Sequence, residues 1–418
     1  MYALTLPQRQ AARPRFQGTV TALQGGKGVG RSRTPTFEGY SRPGGGAGVR
    51  NHVLVLSING LANRAAERVA AAVRGVTLVT TPYGRGQYGE DKELHRRQLI
   101  GIARNPNVAA VLVIGVDRPG ADDIAGAISA SGKPVEVATL DDTHEDALAL
   151  CALGIRAAGR LLREASRARR TTQPASALFI GVECGHSDAT SGIAANPVAG
   201  ACVDRLIDCN GSAVAGEAIE WLGAEHLAAA RARTKAVGKA IVNAVLSREQ
   251  RLSAARIDLT GSNPGAENIR GGLSTIEEKS LGAIAKTGTR PITGLLGHAE
   301  APARQGLYLM DGPSFSPESL TGFAAAGAQV MLFTTGPGNS FCSLIAPTIK
   351  ITGRPDTARR LADQIDFDAG SVLDGTETVE AAGERLFQHV LATASGLMTF
   401  GEAHGEGAEA FTRAGPSM

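Results

Sequence analysis

Ala177-Leu178-Phe179-Ile180-Gly181-Val182-Glu183-Cys184-Gly185-His186-Ser187-Asp188-Ala189-Thr190-Ser191-Gly192, continuing to Asn196-Pro197, decides the fold class. The apolar run over 177–182 reads as a strand buried on both faces, as in a parallel sheet. From Val198 to Cys209 apolar residues recur at helical spacing. A polar turn with Gly185 and Gly192 therefore lies between the carboxyl end of a strand and the start of a helix. Open α/β sheets bind their ligands there. Asp188, Ser187 and Ser191 can accept from helix-start amides or contact substrate. Cys184 is a soft ligand or nucleophile by type. A polar cap on an ordinary strand–turn–helix is the plainer reading of Ser191 or Asp188 alone, but it accounts poorly for the whole cluster.

Outward from that turn, the chain alternates strands and helices. Expected strands are Val53–Ile58, Val76–Thr80, Val108–Val116 and Val135–Thr139, then Ser212–Ile219, Ile292–Leu296, Gln329–Phe333 and Thr348–Ile351. Helices are expected over Ala62–Arg74, Lys92–Ala103, Asp122–Ser131, a long stretch from Glu145, His226–Leu246, Pro317–Ala326 and Thr378–Thr393. Such alternation implies parallel strands with right-handed crossovers. The expected architecture is α/β: two lobes with mainly parallel, doubly wound sheets and an active site in the interlobe cleft. The boundaries read as a flexible basic extension over 1–36, a first lobe over 37–165, a linker over 166–176, a second lobe over 177–400 and a flexible tail over 401–418. No internal repeat is evident.

A chain of 418 residues has ample length for a sizeable core, and its 53 glycines suit a loop-rich α/β enzyme. The net charge of +3 argues against a nucleic-acid binder, which usually carries a clustered basic domain. The five cysteines form no CxxC pair or zinc doublet, and no secretory signal is evident; a reducing cytoplasm is the expected setting. No apolar run of about 18 residues occurs, so no membrane span is expected.

Four polar turns follow predicted strands: 59–63, 82–91, 183–192 and 334–340. In a doubly wound fold they should gather on one edge. Their glycine-rich backbones and helix starts favour anions. Arg50, Asn51, Arg85, Arg118, Ser191, Asn196, Thr335 and Gly336 are candidate substrate contacts, the arginines as carboxylate clamps. Asp188, Ser187, His186, Glu278 and Lys279 are the candidate catalytic groups. No dinucleotide or nucleotide phosphate loop stands in the right context.

Gly39-Tyr40-Ser41-Arg42-Pro43, Gly48-Val49-Arg50-Asn51-His52, Pro82-Tyr83-Gly84, Asn105-Pro106-Asn107, the Cys184–Pro197 signature, Gly271-Gly272-Leu273 and Glu277–Gly282 carry a resemblance. Together, over about residues 37–375, they resemble the altronate/galactarate dehydratase family, which includes the sulfolactate sulfo-lyase large subunit. The resemblance implies elimination of water, or sulfite, from acid-sugar or hydroxy-acid substrates with help from iron. It implies a separate small subunit as partner, because relatives often carry a small gating domain; a homo-oligomer is also expected. It leads one to expect cysteines near 60 and at 85, 118 and 283, where this chain has Gly60-Leu61, Arg85, Arg118 and Ala283. Thiolates hold iron–sulfur clusters, so such a cluster is not expected here. A single divalent ion, iron or manganese, on Cys184, His186 or Asp188 is the cofactor reading. His186 stands where relatives usually have glycine. Two readings follow: a lyase in which Arg85 and Arg118 supply the charge once supplied by metal, or a member that has lost the chemistry and binds acidic ligands or a partner subunit.

Overall fold

The seven-stranded parallel sheet that ends in the signature turn has the order 292–297, 307–311, 212–215, 179–184, 330–335, 348–352, 367–368. This is the computed structural model of the chain, describing residues 34–258 and 262–414. Strand Phe179–Cys184 comes first in the chain yet sits at the centre. Its neighbours are Ser212–Ala215 on one side and Val330–Thr335 on the other. The winding reverses between Phe179–Cys184 and Val330–Thr335, and their carboxyl ends open the crevice typical of such a reversal.

A second parallel sheet, of four strands, has the order 76–79, 52–57, 108–115, 135–139. Helices Asn63–Ala72 and Ala147–Ala165 pack together, as do Gly89–Arg104 and Arg118–Ser129. Strand Val108–Gly115 is buried at seven of its eight positions, as its unbroken apolar run requires. The doubly wound parallel α/β expectation holds for both sheets.

From Thr34 onward the two sheets pack into one compact unit. One apolar cluster joins Leu54, Val111 and Ile102 to Val214, Phe323 and Met331 across the sheets. Gly101 lets helix Gly89–Arg104 approach helix Ser316–Ala326; a Cβ there would meet the Ala325 carbonyl oxygen at 2.3 Å. Asn105 donates to the Ala324 and Ala328 carbonyls, and Asn107 to those of Gln329 and Ile345, at 2.8–2.9 Å. These buried amides fix the first sheet to the second.

Three boundaries differ from expectation. The stretch 166–176 is not a free linker: Thr171–Pro174 pairs antiparallel with Thr36–Ser41, whose far end pairs with Ala47–Gly48. The tail is not loose up to Ala414. Helix Phe400–Ala403 carries a capping box, Phe411 is buried, and Glu409 accepts from the Ser343 hydroxyl at 2.6 Å. The helix expected over 226–246 is two, Glu225–Ala230 and Lys235–Ala254, because Thr234 caps the second through the Val237 amide. Residues 1–33 of the basic extension, and the tail beyond Ala414, lie outside the described residues. Among those described, no helix is long and apolar enough to cross a membrane.

Candidate active site

Strand Phe179–Cys184 delivers Glu183 and Cys184 to the crevice, and the chain then turns through Gly185, His186 and Ser187. Gly185 donates its amide to the Thr334 carbonyl at 2.9 Å, and Gly336 donates to the His186 carbonyl at 3.2 Å. The two glycine-rich turns of this sheet thus close on each other. A Cβ on Gly185 would meet the Phe333 ring at 2.7 Å, so the close approach needs glycine there.

His186 has φ 54°, the left-handed region. Glycine adopts this freely, and histidine at a strain of about 1–2 kcal/mol. Its Nδ1 lies 3.1 Å from the Gly338 carbonyl oxygen. A carbonyl only accepts, so Nδ1 carries the hydrogen, and in the neutral ring the lone pair is then on Nε2. One π-helical turn, Ser191–Ala195, then leads into helix Asn196–Asp208. Such turns are frequent at functional sites.

Over this turn lies a cavity of about 990 Å³, whose lining includes Cys184, His186, Ser187, Glu217, Glu220, Arg248, Arg251, Asn263, Lys279, Ser316 and Asn339, with Glu406 and Gly407 from the C-terminal segment. Every lining residue lies between 184 and 408. The site therefore belongs to the second sheet and its loops, not to an interlobe cleft. The turns 59–63 and 82–91 meet each other, Gly60 donating to the Tyr83 carbonyl at 2.7 Å, but neither lines the cavity. The four polar turns form two pairs on two sheets rather than one edge.

The cavity floor is a buried charged cluster. Lys286, fully buried, hydrogen-bonds Glu183 and approaches the Cys184 sulfur at 3.2 Å. Ser319 donates to the other Glu183 oxygen at 2.6 Å. Lys279 pairs with Glu220 at 2.6 Å and donates to Asn263 Oδ1 at 2.7 Å. Burial pushes the Cys184 thiol up to about 12, with Lys286 pulling partly the other way. Burial opposes charge on Glu220, but Lys279 and Lys286 outweigh it and draw the carboxyl down to about 2. Burial, then the charges of Glu220 and Glu183, raise Glu217 well above the usual carboxylate range. Burial works against both ammoniums; the Glu220 carboxylate outweighs it at Lys279, and the Glu183 and Glu220 carboxylates do so at Lys286, so both stay charged.

Of the expected site residues, the structure brings Cys184, His186, Ser187 and Lys279 to the cavity. The Ser187 hydroxyl is buried without a hydrogen-bond partner. Asp188, Asn196 and Glu278 line a smaller cavity of about 280 Å³ that shares Ser187 and Lys279 with the first, and the rest sit elsewhere. Asp188 is locked locally: its Oδ1 accepts from the Thr190 hydroxyl at 2.6 Å and the Ser191 amide at 3.0 Å. Gly271 and Gly336 hold it from both sides, since a Cβ on either would strike its side chain. Ser191 is part of that same turn, its hydroxyl accepting from the Asp188 amide at 3.1 Å. Asn196 donates to the Gly282 carbonyl and accepts from Thr334, and the Thr335 hydroxyl accepts from the Gly338 amide. Gly336 is spent on the clasp with His186 and on accepting from Thr352. Glu278, exposed, accepts from the amide and hydroxyl of Ser274 at its helix start.

The expected arginine clamps also lie outside the cavity. Arg50 pairs with Glu402 at 2.6 Å and donates to backbone carbonyls of Val49, Thr393 and Leu397. Asn51 bridges Arg42 and the Ala165 carbonyl. Arg118 pairs with Asp122 and Asp142 on the surface, and Arg85 is exposed on its turn. Sequence reasoning missed Glu183, Glu217, Glu220, Arg248, Arg251 and Lys286. Glu183, Glu217, Glu220 and Lys286 interrupt apolar runs, which was the available signal; Arg248 and Arg251 sit on a polar stretch without any.

The expected metal set does not fit one ion. The Cys184 sulfur faces Lys286 and Glu220, the His186 Nδ1 is used by Gly338, and Asp188 is used by Thr190 and Ser191. Among the described residues no three His, Cys, Asp or Glu side chains are arranged to hold a metal.

Residues 175–417 match the family model "D-galactarate/Altronate dehydratase, C-terminal", and residues 39–166 match "D-galactarate dehydratase/Altronate hydrolase, second domain". The chain belongs to the D-galactarate/altronate dehydratase family. It is 39% identical over 385 residues to the (2R)-sulfolactate sulfo-lyase subunit beta of Chromohalobacter salexigens, covering 90% of this chain and 97% of that one. It is 32% identical over 381 residues to the altronate dehydratase of Bacillus subtilis, covering 87% and 74%. To the galactarate dehydratase (L-threo-forming) of Escherichia coli it is 33% identical over 314 residues, covering 72% and 59%. The boundary between the two matched segments falls at strand Thr171–Pro174, between the two sheets.

Proposed function

We propose that the chain eliminates water from a sugar-acid or related hydroxy-acid anion bound in this cavity, giving a 2-keto-3-deoxy acid. Family membership makes the chain a lyase. The observation that carries the substrate reading is the lining itself. Arg248, Arg251, Lys279, Asn263 and Ser316 form the polar part of a lining of about 990 Å³ that also includes Ile219, Leu252, Phe315 and Phe341; the convergent cations and hydrogen-bonding groups suit a hydroxy-acid anion.

The residues divide the work as follows. Arg251 lines the cavity and has no ion-pair partner among the described residues, so its guanidinium is open to a substrate carboxylate. Arg248, beside it, is already paired with Asp311 at 2.6 Å. His186 Nε2 takes the proton from the carbon beside the carboxylate. Lys279, kept charged by Glu220, stabilises the enolate that forms. The Ser187 hydroxyl, buried and unpartnered, donates to a substrate oxygen. The electron pair of the broken C–H bond becomes the new C=C bond, the β-substituent leaves, and the enol becomes the keto acid.

A second reading has sulfite as the leaving group. It is favoured by the 39% identity with the sulfo-lyase subunit beta across 90% of this chain. That relative is named a subunit beta, which supports a partner subunit here. The test is incubation with altronate, galactarate and (2R)-sulfolactate, with and without iron or manganese, trapping keto acid with a carbonyl reagent and assaying free sulfite. Keto acid from a sugar acid without sulfite supports the dehydratase. Keto acid with equal sulfite supports the second reading. Tight binding across the panel without turnover favours an acid-binding protein.

A further inference from the structure

The floor of the cavity contains three buried carboxylates, Glu183, Glu217 and Glu220, but only two ammoniums, Lys279 and Lys286. Each ammonium has its own carboxylate. Lys286 bonds Glu183, which also accepts from Ser319; Lys279 pairs with Glu220 at 2.6 Å. Glu217 is left over. It is 2% exposed and has no cation of its own; its Oε1 has no hydrogen-bond partner, and its carboxyl bonds that of Glu220, a contact that needs a proton between the two. An unpaired carboxylate in such a place carries a large desolvation penalty, so the group holds a proton instead. Charge then balances: two anions, two cations, one neutral acid, with the Cys184 thiol protonated.

Position supports a chemical use for that proton. Glu217 lines the cavity together with His186, Lys279 and Arg251. Its backbone has φ 65°, left-handed for a non-glycine residue, as His186 has. Strain of this kind gathers at functional sites, and here it falls on two residues that line the same cavity.

We propose that Glu217 is the general acid of the reaction, giving its proton to the leaving hydroxyl as the C–O bond breaks. The role rests on the elimination reading above. The C–H bond beside the carboxylate breaks and its proton goes to His186. The freed pair forms the C=C bond, the C–O pair takes the Glu217 proton, and water departs. The enol then gains a proton on carbon and loses one from oxygen. His186 releases its proton to water and Glu217 takes one back, so no net proton is consumed. Anionic Glu217 would face Glu183 and Glu220 as well as Lys279 and Lys286. Its two acidic neighbours make the charged form short-lived.

Glu217→Gln keeps the shape and removes the proton. A hydroxy-acid substrate and its β-chloro analogue, whose leaving group needs no proton, separate the acid from a structural part. Glu217→Gln is expected to lose about 100-fold or more in kcat on the hydroxy acid, the usual worth of a general acid, and to stay within about tenfold of the wild type on the chloro compound. Glu217→Asp should retain part of the first activity and show its loss as pH rises. Equal losses on both compounds, or none on either, overturn the role. Should the Gln variant not fold, Glu217→Asp, which displaces the proton, is expected to lose more on the hydroxy acid than on the chloro compound, and equal losses overturn the role. A wild-type enzyme that turns over neither compound sinks the elimination reading and this role with it. Wild-type turnover with an indifferent variant sinks the role alone.

Discussion

The Lys286 ammonium lies 3.2 Å from the Cys184 sulfur and bonds the Glu183 carboxylate beside it, with no solvent exposure at either Lys286 or Glu183. Helix Ile276–Ala285 ends where strand Phe179–Cys184 ends, so Lys286, the residue after the helix, meets Glu183 and Cys184, the last two of the strand, under the cavity. Removing one member of such a buried pair leaves an uncompensated charge, typically worth about 3–5 kcal/mol. Lys286→Met should therefore lower stability by about that much in denaturant titration. Adding Glu183→Gln should recover a good part of it. Additive losses would argue against the pairing.

Cys184 sits between a cation and the Glu220 carboxylate at 3.5 Å, and burial dominates. With its thiol pushed up to about 12, little thiolate exists at neutral pH. Alkylation of Cys184 in native protein at pH 8 should be far slower than in the unfolded chain, as read by mass spectrometry. Fast, selective labelling would show a thiolate and reopen a nucleophilic role.

The two kinds of arginine should behave differently. Arg118 is an exposed residue paired with Asp122 and Asp142, and such pairs are worth about 0–1 kcal/mol. Arg118→Ala should leave turnover and melting temperature nearly unchanged. Arg251 lines the cavity without an ion-pair partner among the described residues. Arg251→Ala should raise KM about tenfold or more and leave the melting temperature alone. The reverse pattern would move the substrate carboxylate to the first sheet.

Acid should unfold the protein earlier than carboxylates alone would cause. Burial lowers His52, His95 and His298 each to about 4. The unfolded chain binds protons at these groups below about 6.5 while the folded chain resists until about 4. Stability is thus full above pH 6.5 and falls as pH drops towards 4, by at most about 3 kcal/mol per histidine. His298 has no hydrogen-bond partner at either ring nitrogen. His298→Leu should keep stability at pH 7 within about 1–2 kcal/mol and flatten the decline between pH 6.5 and 4. An unchanged slope would count against a buried neutral imidazole.

The parallel sheets were legible because burial on both faces leaves unbroken apolar runs such as Val108–Gly115. Strand Leu307–Asp311 was missed although its first four residues are buried. Its five residues follow a polar stretch and show no boundary that periodicity can detect. The pairing of Thr171–Pro174 with Thr36–Ser41 was hidden because polar, half-exposed strands carry no apolar pattern. The signature turn was legible as a site, but not which of its side chains face the cavity. Asp188 and His186 are two residues apart, and only backbone geometry turns one inward to its own helix start and the other to the cavity. Glu217, Glu220 and Lys286 are separated in sequence from Glu183 by up to about 100 positions, and only the sheet order brings them together. The resemblance supplied the family; it placed substrate arginines on turns that the second sheet does not use.

Keto-acid formation by His186→Gly, compared with the wild type, is the most direct measurement of all. Glycine accepts φ 54° without strain, so the variant should melt at the same temperature or slightly higher. With the imidazole gone, kcat on the best sugar-acid substrate should fall by about 10²–10⁴-fold. Wild-type kcat in a folded His186→Gly variant would contradict the placement of the proton abstraction at this turn.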